Sequence, residues 1–247
     1  MEKEQNVNLI VKQNVKEKLA NILKITSCYS SMHVKLISYS QPSCVTDATN
    51  TSMQDMIAYC ARVSNPANQS NTETNERLLK YLIKNHHWSP FEMVSICLEI
   101  ETTRDIARQM LRHRSFSFQE FSQRYAVASL GFETREGRLQ DEKNRQNSIE
   151  HTNAELETEW IKKQKELAEF SKQTYDWALS NGIAKEQARV VLPEGMTTTR
   201  MYMNGTLRSW IHYIQLRSAN GTQKEHQEVS IECANVISTI FPMIMNL

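Results

Sequence analysis

Glycine is scarce in this 247-residue chain, with only six copies, and none falls in a G-x-G-x-x-G turn or a G-x-x-x-x-G-K-S/T loop. A dinucleotide, if bound, is therefore not held in a Rossmann turn or a Walker loop. G-x-S-x-G and H-E-x-x-H are also absent, which excludes a hydrolase elbow and a zincin helix. His86 and His87 stand side by side without a third ligand pattern, so no metal site is expected. The five cysteines are scattered, odd in number and never spaced C-x-x-C, as expected of free thiols in a reducing compartment. No apolar run approaches the ~18 residues of a membrane span. A net charge of +1 leaves no broad basic face for nucleic acid.

Lysine is missing in a more telling way. None occurs from Asn85 to Glu142, although Arg104–Arg124 holds five of the fourteen arginines, three of them in R-H-R-S-F-S-F-Q-E-F-S-Q-R-Y at Arg112–Tyr125. A second lysine-free stretch, Glu186–Gln223, carries Arg189, Arg200, Arg208 and Arg217. Arginine without lysine suits planar, bidentate recognition of phosphate or carboxylate, or stacking on flat rings. Two such stretches in one domain suggest one large anionic site; ion pairs with Asp105 and Glu120 are the structural alternative.

Apolar spacing predicts strands at His33–Ser38, Met93–Glu101 and Thr197–Asn204. It predicts helices at Asp55–Val63, Thr74–Lys84, Ala154–Leu179, Ala184–Val191, Thr206–Leu216 and Thr222–Ile240, and one capped by Thr103 that runs to about His113. Trp160, Leu167, Phe170, Thr174 and Trp177 form the expected apolar face of the long helix. Gly131–Thr152 reads as a polar surface loop. The expected fold class is α+β, a single domain with a mixed or antiparallel sheet packed among helices. Residues 1–32 read as a flexible extension before a domain at 33–247; a cytoplasmic location is expected, an organellar presequence being the alternative. Near one helix end, Arg108, Gln109 and Arg112 share a face; on another helix Arg208, His212 and Gln215 form a polar stripe. For His212 alone a surface histidine is the commoner case; paired with Arg208 on one stripe, it is as readily a ligand contact.

These residues carry a resemblance. Arg112-His113-Arg114, Ser117, Ser122 and Arg124 match the spacing RHR-x(2)-S-x(4)-S-x-R of the flavin-dependent thymidylate synthases. H-W-S-P-F-E at His87–Glu92, A-R-V-V-L-P at Ala188–Pro193 and L-R-S-A-N-G-T-Q-K-E at Leu216–Glu225 agree as well, in the same order. The resemblance implies a non-Rossmann flavin site in a homotetramer, with active sites between subunits. It implies methylation of dUMP to dTMP, with 5,10-methylenetetrahydrofolate as carbon donor and NADPH reducing through FAD. By motif position, His87, Ser89, Arg112, His113, Arg114, Glu120, Thr206, Leu207, Arg208 and His212 look like flavin contacts. Gln109, Arg112, Glu120, Ser122, Gln123, Arg124 and Arg189 resemble the dUMP cradle. Arg217 matches both a dUMP contact and the catalytic arginine that polarises the uracil ring. The family often has Asn or Arg where Thr206 and Gly205 stand, and His at Gly221. No protein nucleophile is implied; Ser122 has no evident histidine base beside it and suits a hydrogen-bonding role. The competing class is a non-enzymatic nucleotide- or RNA-binding module that uses Phe116, Phe118 and Phe121 as stacking partners.

Overall fold

The computed structural model describes residues 32–43 and 52–246. The proposed extension at 1–32 lies almost wholly outside them. The frame is a four-stranded antiparallel sheet in the order β1-β2-β6-β3, with β1 His33–Tyr39, β2 Ser95–Thr103, β3 Phe116–Glu120 and β6 Thr198–Thr206. A second, two-stranded ribbon joins β4 Leu139–Gln140 to β5 Ser148–Ile149. Seven α-helices are described: α1 Met53–Ala61, α2 Asn75–Lys84, α3 Arg104–Met110, α4 Ala154–Ser180, α5 Lys185–Ala188, α6 Leu207–Arg217 and α7 Lys224–Ser238.

Alternation divides the central strands into two faces. Ile96, Leu98 and Ile100 of β2 and Met201 and Met203 of β6 are fully buried under the helices, with Trp210, Ile211, Val229 and Cys233. The outward residues pair across the strands: Arg200 with Glu101, and the Tyr202 hydroxyl donating to Glu99 at 2.7 Å. Such cross-strand pairs let one face meet water while the other is buried. Each central strand then runs into a helix with no loop between. Thr206 closes β6, and its hydroxyl accepts from the Ser209 N–H at 3.3 Å to start α6. Thr103 closes β2 in extended geometry, but its hydroxyl donates to Asp105 at 2.7 Å and caps no backbone N–H. Because β2 and β6 are antiparallel, α3 and α6 start from opposite ends of the pair, and their C-terminal ends converge.

Other expectations need correction. The helix after β2 stops at Met110, and His113 lies in the turn beyond it. Phe116–Glu120, to which no element was assigned, is the edge strand β3. In α4 the expected apolar face points outward: Trp160, Leu167, Phe170 and Trp177 are 45–69% exposed. Gln164, Ser171, Tyr175 and Ala178 are the buried residues instead. Gln164 satisfies its amide on both groups of Arg135, and Ser171 donates to the Val191 carbonyl at 2.6 Å, so polar residues can occupy that face. The segment 131–152 is also tied down more firmly than its composition suggests. Arg135 bonds Asp105 and Thr103, and Arg138 bonds Glu225 at 2.5 Å.

Gly205 shows how closely β3 lies on β6. A Cβ built there would overlap the Phe116 ring, which packs edge-on against Trp210 with centroids 4.9 Å apart. Gly205→Ala is expected to lower stability by about 1–3 kcal/mol through overpacking, measured as a fall in the urea midpoint at constant slope.

Candidate active site

The convergence of α3 and α6 creates the centre of the site. Arg217, the last residue of α6, donates from Nε to His113 Nε2 at 2.9 Å. That bond fixes His113 as an acceptor at Nε2, hence neutral with its proton on Nδ1. Burial lowers the His113 pKa, and the Arg217 charge lowers it further. No carboxylate pairs with Arg217 among the described residues, so its two Nη groups and full charge remain available. Helix C-termini carry partial negative charge and favour cations here.

Behind this pair lies a buried polar network. Tyr213, 1% exposed, shares a 3.1 Å hydrogen bond with Nε2 of the fully buried His226. His226 Nδ1 meets Gln109 Oε1 at 3.1 Å, Gln109 Nε2 donates to Gln223 Oε1 at 2.8 Å, and Gln223 Nε2 donates to Glu225 at 2.9 Å. Burial first, then Arg217 and His113, depress the His226 pKa to about 3. Burial pushes Tyr213 well above its usual range. Burial acts to raise Glu225, but its own backbone N–H and the Arg138 and Arg135 charges hold it below the usual carboxylate range. His226 and Tyr213 were not among the residues singled out from the sequence. Nothing in an amphipathic helix distinguishes a buried histidine from a surface one before its partners are known.

The remaining arginines fall into two groups. Arg104, 8% exposed in its side chain, lies 3.2 Å from Glu120, which also accepts from Thr199 at 3.1 Å; Arg108 pairs with Glu194 at 3.1 Å. Arg208 pairs with Glu92. These cations are compensated within the chain. Arg112 and Arg114 are exposed, Arg189 is half-buried, and none of the three guanidinium groups makes a hydrogen bond or ion pair among the described residues. Arg124 has only an exposed contact with Glu186 at 3.5 Å, of little energetic weight. Arg124 and Arg189 share one corner, since Lys185 of α5 bonds the Tyr125 carbonyl at 3.1 Å. Gln123 in the same loop is 4% exposed and its side chain has no hydrogen-bond partner among the described residues, while Ser122 accepts backbone bonds from Tyr125 and Ala126.

His212 and Arg208 face the 89–92 turn. The His212 ring meets Trp88 edge-on at 4.7 Å, and burial, then Arg208, lowers its pKa. His87 and Ser89 are exposed on the same turn. Leu207 is fully buried and its N–H bonds Val94, so its side chain serves packing. Thr206 acts as the α6 cap. An open cavity of about 510 Å³ with a mixed lining that includes Arg62, Arg77, Leu78 and Tyr81 borders this patch, with Tyr81 edge-on to His87 at 6.0 Å. Arg77 in it is also unpaired among the described residues; a lone arginine on a mixed-charge helix gave no sequence signal.

The site gathers several arginines that no carboxylate among the described residues compensates. Residues 44–243 match the family model described as thymidylate synthase complementing protein. The chain is 49% identical over 213 residues to a probable flavin-dependent thymidylate synthase of Paramecium bursaria Chlorella virus 1, covering 86% of this chain and 97% of that protein. It is 48% identical, with the same coverage, to the flavin-dependent thymidylate synthase of Synechocystis sp.. Among solved structures, it superposes on a UMP/dUMP methylase, PolB of Streptomyces cacaoi, bound with 5-Br dUMP. That match has a TM-score of 0.73 at 24% identity, covers 87% of this chain and 93% of PolB, and establishes the shared fold. The chain belongs to the flavin-dependent thymidylate synthase family.

The neutral histidines set a pH dependence. In the unfolded chain they take up protons near pH 6.5, whereas folded His226 resists until about pH 3. The unfolded state binds more protons in that window, so stability is complete above pH 6.5 and declines toward pH 3. Urea denaturation should show a fall of up to about 1.4 kcal/mol per pH unit from His226 below that point, absent in His226→Gln.

Proposed function

We propose that this chain methylates dUMP to dTMP, taking the carbon from 5,10-methylenetetrahydrofolate and reducing equivalents from NADPH through bound FAD. The observation that carries this reading is Arg217 held by a neutral imidazole. A cation beside a uracil ring stabilises negative charge as it develops on the carbonyl edge, and arginine does so without titrating. A carboxylate partner would cancel that charge; His113 orients Arg217 and leaves it intact.

Arg124 and Arg189 serve as the clamp for the nucleotide phosphate, with the Gln123 amide and Ser122 beside them. Gln109 presents a half-buried amide to the same ligand, and Glu120 keeps Arg104 and β3 in place beneath it. FAD suits the residues present: Arg112 and Arg114 are cations with no side-chain partner among the described residues, as suits a diphosphate, and His212, Arg208, Thr206, His87 and Ser89 line the adjoining patch. The flavin would supply the redox chemistry; the protein binds, orients and polarises. No side chain is assigned as a nucleophile.

The same reading includes a homotetramer with sites between subunits. Its support is the outward row of Trp160, Leu167, Phe170 and Trp177, more apolar surface than an isolated domain usually exposes along one helix. Residues 33–247 form the catalytic domain, residues 1–32 an extension, and the enzyme works in the cytoplasm. The nucleic-acid alternative is disfavoured because Phe116 is packed against Trp210 and Tyr213 and cannot stack on a base.

Purified protein should be yellow and should form dTMP only with dUMP, methylenetetrahydrofolate and NADPH together; colourless protein that takes up no added FAD would refute the assignment. Arg217→Ala should retain FAD and lose at least about 100-fold in turnover. Arg124→Ala should raise the dUMP dissociation constant by about tenfold. Light scattering should give a particle about four times the 28.7 kDa chain, and a monomeric, active enzyme would remove the intersubunit site.

A further inference from the structure

We propose that His226 is a positioning residue, one link in a one-way chain of hydrogen bonds that fixes which edge of the Gln109 amide meets the nucleotide. The direction is set at the carboxylate end. Glu225 can only accept, so the Gln223 amide must turn its nitrogen toward it, at 2.9 Å, and its oxygen toward Gln109. Gln109 must then donate from Nε2 to that oxygen, at 2.8 Å, and turn its own oxygen toward His226. His226 must carry its proton on Nδ1 to donate across 3.1 Å. In the neutral ring Nε2 is bare, so the Tyr213 hydroxyl donates to it, also across 3.1 Å. The Tyr213 hydroxyl has no other hydrogen-bond partner among the described residues, and its ring is buried.

Reversing the Gln109 amide would set two donors against each other at His226 and two acceptors at Gln223. Each mismatch leaves a buried polar group unsatisfied, which is costly. The half-buried Gln109 therefore offers the site one N–H in a fixed place, suited to an oxygen acceptor on the ligand. Charged and titratable groups around His226 favour its neutral form: Arg217 and His113 act on it, and Tyr213 remains protonated. Arg138 anchors the far end by holding Glu225 ionised.

The link to substrate rests on Gln109 being a nucleotide contact. His226→Phe removes both links and should raise the dUMP dissociation constant and KM about tenfold. Turnover at saturating dUMP should change less than about twofold and flavin absorbance should be retained. His226→Gln supplies one donor and one acceptor and should restore most of the affinity. An unchanged dUMP affinity in His226→Phe, or equal losses in kcat and KM in both variants, would overturn the proposal. Should His226→Phe not fold, Tyr213→Phe provides the milder lesion, with a smaller affinity loss in the same direction; no loss counts against the chain. A separate arm does not depend on substrate. Histidine-selective 15N spectra of the wild-type protein near neutral pH should show His226 neutral, with Nδ1 protonated. The opposite tautomer, or an imidazolium, would overturn the chain even if dUMP binds. Wild-type protein with intact His226 tautomer but no dUMP binding would instead refute the functional reading and, with it, the role toward nucleotide.

Discussion

An arginine restrained by an imidazole keeps a charge that a carboxylate would take away. The Arg217–His113 bond at 2.9 Å depends on His113 staying neutral, and His113 stays neutral because it is half-buried beside that same cation. The bond exists because α3 and α6 are launched directly from the two central strands and end at one point. The capped start of α6 at Thr206 and the uninterrupted passage from β2 into α3 thus set the position of the charge. Packing of Trp210, Tyr213 and Phe116 beneath holds those helix ends in register.

The division of the arginines follows from where acids are placed. Arg104, Arg108, Arg135, Arg138, Arg200 and Arg208 each face a carboxylate and fasten strands, helices and the 131–152 segment. Arg112, Arg114, Arg189 and Arg217 face none among the described residues. A lysine-free stretch in the sequence therefore combines two uses of guanidinium, fastening and reception. Only the positions of the acids in space separate them. Glu120 illustrates this: by spacing alone it sits among ligand contacts, yet in the fold it is also the counter-charge of Arg104.

Where a physical period was strong, the sequence was readable. Alternation marked β2 and β6, and the helices that follow lie within a few residues of their expected bounds. Strand β3 escaped because five residues beside an arginine cluster carry too little period, and its partner β6 is distant in the chain. The face of α4 was inverted because apolar spacing does not say whether the core or a surface lies opposite; Gln164 and Ser171 are buried only because Arg135 and Val191 satisfy them. Motif spacing singled out the cations assigned to the proposed site. It could not reveal the Tyr213–His226–Gln109 series, because Tyr213 and His226 are individually ordinary and Gln109 lies more than a hundred residues from them in the chain.

The polar segment 131–152 has a consequence beyond fastening. Arg135 joins it to the start of α3, Arg138 joins it to α7, and Phe132 bridges to Thr197 at the start of β6. Releasing the segment means separating two partly buried ion pairs at once, so it opens together with the helix termini it touches, not as an independent flap. In terms of hydrogen exchange, its tied part from Phe132 to Arg138 is expected to follow the slower, cooperative opening of those helix termini, despite a composition that resembles a freely moving loop.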